Sequence, residues 1–122
     1  MPKSYVKFTV SKDLSDKVLQ VLEMARNSGK IRKGTNEATK AIEKSVAQMI
    51  VIAEDVEPEE IVMHLPALCD EKKVPYVYVP SKQELGRAAG IDKGMAAAAV
   101  VDAGDGKNLL KEVVTGIGAA KK

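Results

Sequence analysis

The run Met49-Ile50-Val51-Ile52-Ala53 does most to limit what this chain can become. Every position is apolar, so neither face of the segment can meet water, and a strand of this kind must be covered on both sides. The cover is present in the flanking sequence at helical spacing. Leu14, Val18, Val21, Leu22 and Ala25 share one face of a helix capped at Ser11 or Asp13 and stopped by the turn-forming Asn27-Ser28-Gly29. A second helix is expected over about residues 35–47, with Thr35 as its N-cap and Ala38, Ala41, Ile42 and Val46 turned to the core.

Beyond the central run comes an acidic cluster, Glu54-Asp55-Val56-Glu57-Pro58-Glu59-Glu60. Pro58 suits the first turn of a helix, and Ile61, Leu65 and Leu68 carry the apolar spacing to about Lys72, with Pro66 forcing a break or kink. Val74 to Val79 is rich in β-branched and aromatic residues, as strands are. Ser81 and Glu84 match a capping box, and the helix they open ends at Gly90. Ile91-Asp92-Lys93-Gly94-Met95 reads as a loop, Ala96 to Val101 as a small-residue strand, Asp102 to Gly106 as a turn and Lys107 to Ala119 as a last helix. Val6, Phe8 and Val10 alternate with polar neighbours, as in an extended segment over the core, and Ile31 suits a very short strand. Strands alternating with helices predict an α/β fold: a single-domain, three-layer α/β/α sandwich around a central mixed sheet of about four strands.

Composition excludes several functions. The 122 residues fit one domain, and a 45% hydrophobic content supplies a core without staples. Nineteen basic side chains stand against 17 acidic ones, so total charge does not argue for nucleic acid. The single cysteine, Cys69, excludes an internal disulfide and fits a reducing cytosol. Without a signal-peptide pattern or a long apolar run, neither export nor a membrane span is expected, and the expected location is cytoplasmic. Tyr5, Phe8, Tyr76 and Tyr78 are the aromatic residues, too few for a base-stacking platform.

Catalytic constellations fail in turn. His64 and Cys69 are five residues apart on a proline-interrupted helix and would not share a face, so His64 fits a packing or interfacial role and Cys69 a buried one. No His/Cys cluster has zinc spacing. Gly104-Asp105-Gly106-Lys107 lacks the length and the Ser or Thr of a phosphate loop, and the third Gly of a dinucleotide fingerprint. The acidic cluster fits a solvated strand-to-helix connection better than paired catalytic carboxylates. A non-enzymatic protein without cofactor or metal is expected.

What remains is binding, and it centres on the stretch from Gly29 to Lys44. Arg26, Lys30, Arg32, Lys33, Lys40 and Lys44 outnumber Glu37 and Glu43 in this region, on a chain whose net charge is only +2. Asn36, Glu37 and Lys40 share one patch of the second helix. Two readings stand: a solvated amphipathic helix, or a helix N-terminus aimed at a polyanion. A carboxylate in a basic patch is costly beside phosphates unless it accepts from a specific donor. RNA offers one in a sheared G·A pair, which leaves the Watson–Crick edge of guanine free. Its N1–H and amino edge can meet Glu37, and O6 and N7 can accept from Lys40 or Asn36.

Gly34-Thr35-Asn36-Glu37-Ala38-Thr39-Lys40 closely resembles the signature of the ribosomal protein L-seven-Ae family of kink-turn RNA binders. Ile50 to Asp55 with Glu57-Pro58, His64-Leu65-Pro66 with Leu68-Cys69, Val74 to Val77, and Ser81 to Ala88 agree in order and spacing. The likeness spans nearly the whole chain, weakest before about Asp13 and after about Val101, and is greatest to archaeal members. It implies a domain that grips a sharp RNA bend holding tandem sheared G·A pairs and one flipped-out nucleotide. By the matched motif, Asn36, Glu37 and Lys40 would contact the G·A pairs, while Lys33, Gly34 and Thr35 hold the adjacent backbone. Glu57, Ile61 and Lys82 correspond to positions around the flipped nucleotide. Ile91, Asp92 and Lys93 would close over that base, Ile91 as the apolar face and Lys93 near phosphate. Here the sequence departs from relatives: Gly94-Met95 replace a more rigid or aliphatic pair, and Asp92 is acidic.

The resemblance further implies partners. These are ribosomal RNA in the large subunit, box C/D and H/ACA guide RNAs and ribonuclease P RNA, with a Nop-domain scaffold and fibrillarin in the guide particles. Catalysis would belong to those partners. A ribosome-only structural protein and, more remotely, an RNA-modifying enzyme are the alternatives.

Overall fold

The structure, a computed structural model, describes residues 4–121. Its elements follow in the order α1 (Lys12–Ser28), β1 (Lys30–Lys33), α2 (Thr35–Glu43), β2 (Met49–Ala53), α3 (His64–Lys72), β3 (Tyr76–Val79), α4 (Lys82–Ala88), β4 (Ala97–Asp102) and α5 (Lys107–Ala120). Single 3-10 turns at Glu59–Ile61 and Gly104–Gly106 precede α3 and α5. The four strands form one mixed sheet in the order β1-β4-β2-β3, with β2 and β3 parallel and β4 antiparallel to both of its neighbours. Helices α1, α4 and α5 form one layer, and α2 with α3 the other. The expected three-layer architecture is therefore what the chain adopts.

Burial explains why. All five residues of β2 and all four of β3 are buried, so the apolar run is covered on both faces. Taking a large aliphatic side chain such as Ile50 or Ile52 out of water contributes about 1.5–3 kcal/mol. From α1, Val18, Val21, Leu22 and Ala25 enter the core, and the Ser11 side chain accepts from the Leu14 N–H to start the helix. The helix stops at Gly29, where only glycine fits: a Cβ there would lie 2.0 Å from the Asp102 carbonyl oxygen.

Several local expectations are corrected. Gly34, not Thr35, is the N-cap of α2, with φ +94°, and Thr35 is the first helical residue. The helix ends at Glu43, because Ser45 turns to φ 58°, and Val46 is consequently exposed. The expected helix from Pro58 to Lys72 is two elements. A 3-10 turn follows Pro58 and α3 begins at His64, which puts Pro66 in the first turn. No N–H is needed there, so Pro66 kinks nothing. Ile61 is 41% exposed, outside the apolar stripe. Segment 6–10 makes no strand; it lies on the sheet through side chains, with Phe8 against Tyr76 and Tyr78 at ring-centroid distances of 5.6 and 5.1 Å. The four aromatic residues thus pack on one another instead of facing solvent.

Candidate nucleic-acid interface

Sheet register decides which loops meet. Lys33 and Val51 both pair with Ala98, Ile52 pairs with Ala97, and Ala53 pairs with Val79. The ends of β1, β2 and β3 and the start of β4 therefore lie at one end of the sheet. Four segments leave or enter there: Gly34 into α2, Glu54 toward Glu57 and Ile61, Pro80 into α4, and the loop 91–96 into β4. Apart from Lys33, the last residue of β1, every residue expected to bind RNA lies on one of them.

Gly34 anchors the first segment. Its N–H donates to the Ala97 carbonyl at 2.9 Å and its carbonyl accepts from the Ala38 N–H at 2.9 Å. No side chain caps the first turn of α2. The amides of that turn and the positive end of the helix dipole are thus presented at the sheet end. Thr35 is half-buried, Asn36 exposed, and Glu37 Oε2 lies 3.6 Å from Lys40 Nζ. With side chains 47% and 63% exposed, that pair is weak in water and free to exchange partners. Beside it, Arg32, Glu37, Lys40, Ala41, Lys44 and Val46 line a pocket of 190 Å³. Arg32 and Lys44 thus extend the cationic surface of Lys40 along the flank of α2.

Lys82 is held by its backbone: its N–H donates to Asp55 Oδ1 at 2.8 Å and its carbonyl accepts from the Met95 N–H at 3.0 Å. Ser81 caps α4 by accepting from the Glu84 N–H at 3.1 Å. The loop is tied along α4 at both ends, since the Ile91 N–H also donates to the Gly86 carbonyl at 3.0 Å. A Cβ on Gly86 would lie 1.9 Å from the Lys93 carbonyl oxygen, and one on Gly94 would lie 3.0 Å from Lys82 Cγ, so two glycines permit this close course. Met95 is buried, whereas Asp92 and Lys93 are exposed. Ile91 is half-buried beside Gly86, about a turn along α4 from Lys82 and the least forward of the expected contacts. Glu57 is exposed and follows Val56 on the acidic connection.

Asp55, which orients Lys82, is a site residue the sequence conceals, because its partner lies 27 positions away. His64 takes the packing role expected of it. Its Nε2 lies 2.9 Å from Thr39 Oγ1, whose own proton goes to the Thr35 carbonyl at 2.8 Å, so the ring donates and ties α3 to α2. Cys69 is buried, and desolvation with the nearby Asp70 charge pushes its thiol up to about 12, far from a reactive thiolate. Among the described residues no group of three or more His, Cys, Asp or Glu side chains could hold a metal ion, and no helix is long and apolar enough to cross a membrane.

With this geometry in place, comparison with known proteins is decisive at the level of family. Residues 16–110 match the model of the ribosomal protein L7Ae/L30e/S12e/Gadd45 family. The chain belongs to this family. A solved structure, the Giardia lamblia 15.5kD RNA binding protein, superposes with a TM-score of 0.91 at 31% sequence identity, covering 97% of this chain and 98% of that one. The family match takes in α2, the acidic connection, α4 and the loop 91–95, and begins after residues 4–15.

Proposed function

We propose that this protein binds RNA at the sheet end that carries the N-terminus of α2, and that its target is the kink-turn. The observation that carries the reading is convergence. Segments around Gly34–Lys40, Glu57–Ile61, Lys82 and Ile91–Lys93, far apart in the chain, reach one end of one sheet. Family membership and the RNA-binding description of the Giardia relative support RNA as the ligand class. The Gly34–Lys40 motif supports the bend with sheared G·A pairs as its form. In this reading Asn36, Glu37 and Lys40 take the exposed guanine edges, and Lys33, Gly34 and Thr35 take phosphates at the helix N-terminus. Glu57, Ile61, Lys82, Ile91, Asp92 and Lys93 surround the flipped nucleotide.

The protein then acts on RNA shape and catalyses nothing itself. Binding only the kinked conformer draws the RNA toward that conformer by mass action. Ribosomal, box C/D, H/ACA and ribonuclease P RNAs are the proposed targets, with fibrillarin and a Nop-domain scaffold as guide-particle partners in the cytoplasm of an archaeal cell. Gel-shift titration against a kink-turn RNA and a variant with its G·A pairs changed to Watson–Crick pairs tests the reading: tighter binding of the first is expected, and equal affinity refutes it. Sequencing the RNAs that co-purify with the protein separates a multi-particle role from a ribosome-only one.

A further inference from the structure

The acidic connection carrying Glu57 and Ile61 is shaped by a residue far from it in sequence. Tyr5 is 1% exposed, and its hydroxyl spends both of its hydrogen-bonding roles on that connection. It donates to the Ala53 carbonyl at 2.7 Å and accepts from the Val56 N–H at 3.0 Å, closing the turn by which the chain leaves β2. Tyr78 of β3 returns the contact: its hydroxyl donates to the Tyr5 carbonyl and accepts from the Lys7 N–H at 3.0 Å. One step outward, the Ser4 N–H donates to Glu59 Oε1 at 2.8 Å, and the Ser4 hydroxyl donates to the same oxygen. The turn so fixed contains Asp55, which holds the Lys82 N–H at the start of α4. A phenylalanine would fill the same space as Tyr5, so core packing alone does not account for the hydroxyl.

We propose that Tyr5 is a positioning residue for base recognition, its hydroxyl aligning the 53–56 turn so that Glu57–Ile61 and Lys82 flank the flipped-out nucleotide. This rests on the kink-turn reading above. It assigns function to a segment outside the family match at residues 16–110.

The test uses the full chain and two kink-turn RNAs, identical except that one is abasic at the flipped-out position. The natural protein is expected to favour the RNA that keeps the base. Tyr5→Phe should cut that preference about tenfold, the loss expected of one buried hydroxyl and its partners. Its preference for sheared G·A over Watson–Crick pairs, carried by α2, should be unchanged. Val113→Ala, a buried change on α5, serves as a control that loses stability without altering either preference. Amide exchange supplies a second readout, with faster exchange at Val56 and Lys82 in Tyr5→Phe while α5 is unaffected. An unaltered base preference in Tyr5→Phe overturns the proposal alone, and absence of G·A discrimination in the natural protein overturns the kink-turn reading and the proposal together. Should Tyr5→Phe fail to fold, Ser4→Ala loosens the exposed end of the same segment. A roughly twofold loss of base preference is then expected, and no loss overturns the proposal.

Discussion

In the proposed site, Glu37 is the residue that would separate recognition from attraction. Lysines draw any polyanion, but a carboxylate beside phosphates is tolerated only if it accepts from a donor the ligand presents. Its partner in the free protein, Lys40 at 3.6 Å, is mostly solvated, so little is lost when RNA replaces it. Glu37→Ala should therefore cost about 1–3 kcal/mol of affinity for kink-turn RNA. Binding to the Watson–Crick variant should hold or rise, because Lys40 is released. Lys33→Ala should weaken both RNAs alike and reduce the slope of log affinity against log salt by roughly one. Titrations at several salt concentrations check both. A second residue-scale outcome concerns Glu54, half-buried at the end of β2. Desolvation first, and repulsion from Asp55 second, hold its carboxyl group above the ordinary 4.5. In the unfolded chain it titrates near that ordinary value. Between the two values the folded form keeps a proton that the unfolded form has lost, so stability falls as pH rises through the interval. Above it, the ionised group is a standing penalty. Glu54→Gln should raise the melting temperature at pH 7, by a small amount because solvent still reaches the group, and the gain should vanish below about pH 4.5 in thermal melts.

Among elements, the sequence announced what is decided locally. Ser11 and Ser81 cap α1 and α4 as their side-chain chemistry demands. The apolar run 49–53 is a strand buried on every side. Boundaries set by tertiary packing were not legible. Nothing near Thr35 reveals that Gly34 bonds to Ala97, 63 positions on, and so takes the N-cap. Apolar spacing from Ile61 to Leu68 looks continuous, and only the fold shows Ile61 exposed and the helix restarted at His64. Glycines make the point quantitative. Gly86 looks like an ordinary weak spot in α4, yet a Cβ there would sit 1.9 Å from a backbone oxygen of Lys93, which cannot swing aside. Gly118 in α5 has nothing within 4 Å. Gly118→Ala should stabilise by about 0.4–1 kcal/mol. Gly86→Ala should destabilise by about 1–3 kcal/mol and speed amide exchange at Ile91 and Met95 as the loop is pushed off α4. Paired denaturant titrations with exchange measurements check the contrast.

At the level of the whole molecule, the α/β/α class was readable because a strand covered on both faces leaves few other solutions. The strand order was not. β4, last in the chain, inserts between β1 and β2, a pairing of distant segments that no local pattern encodes. That insertion brings the loop 91–96 between the α2 N-terminus and the acidic connection, so the proposed site depends on the complete sheet rather than on one motif. Binding and folding are then linked. A ligand that holds all four segments binds the native state alone, and at a free concentration 100 times its dissociation constant it should add about 2.7 kcal/mol to stability. A kink-turn RNA should raise the melting temperature by several degrees, more than its Watson–Crick counterpart at equal concentration. Salt should shrink both shifts, because phosphate contacts weaken, but it should leave the difference between the two RNAs largely intact, since base-edge contacts release few counterions. Equal shifts at low salt that disappear together at high salt would mark a merely electrostatic binder, and would count against Glu37 and its neighbours as readers of a bend.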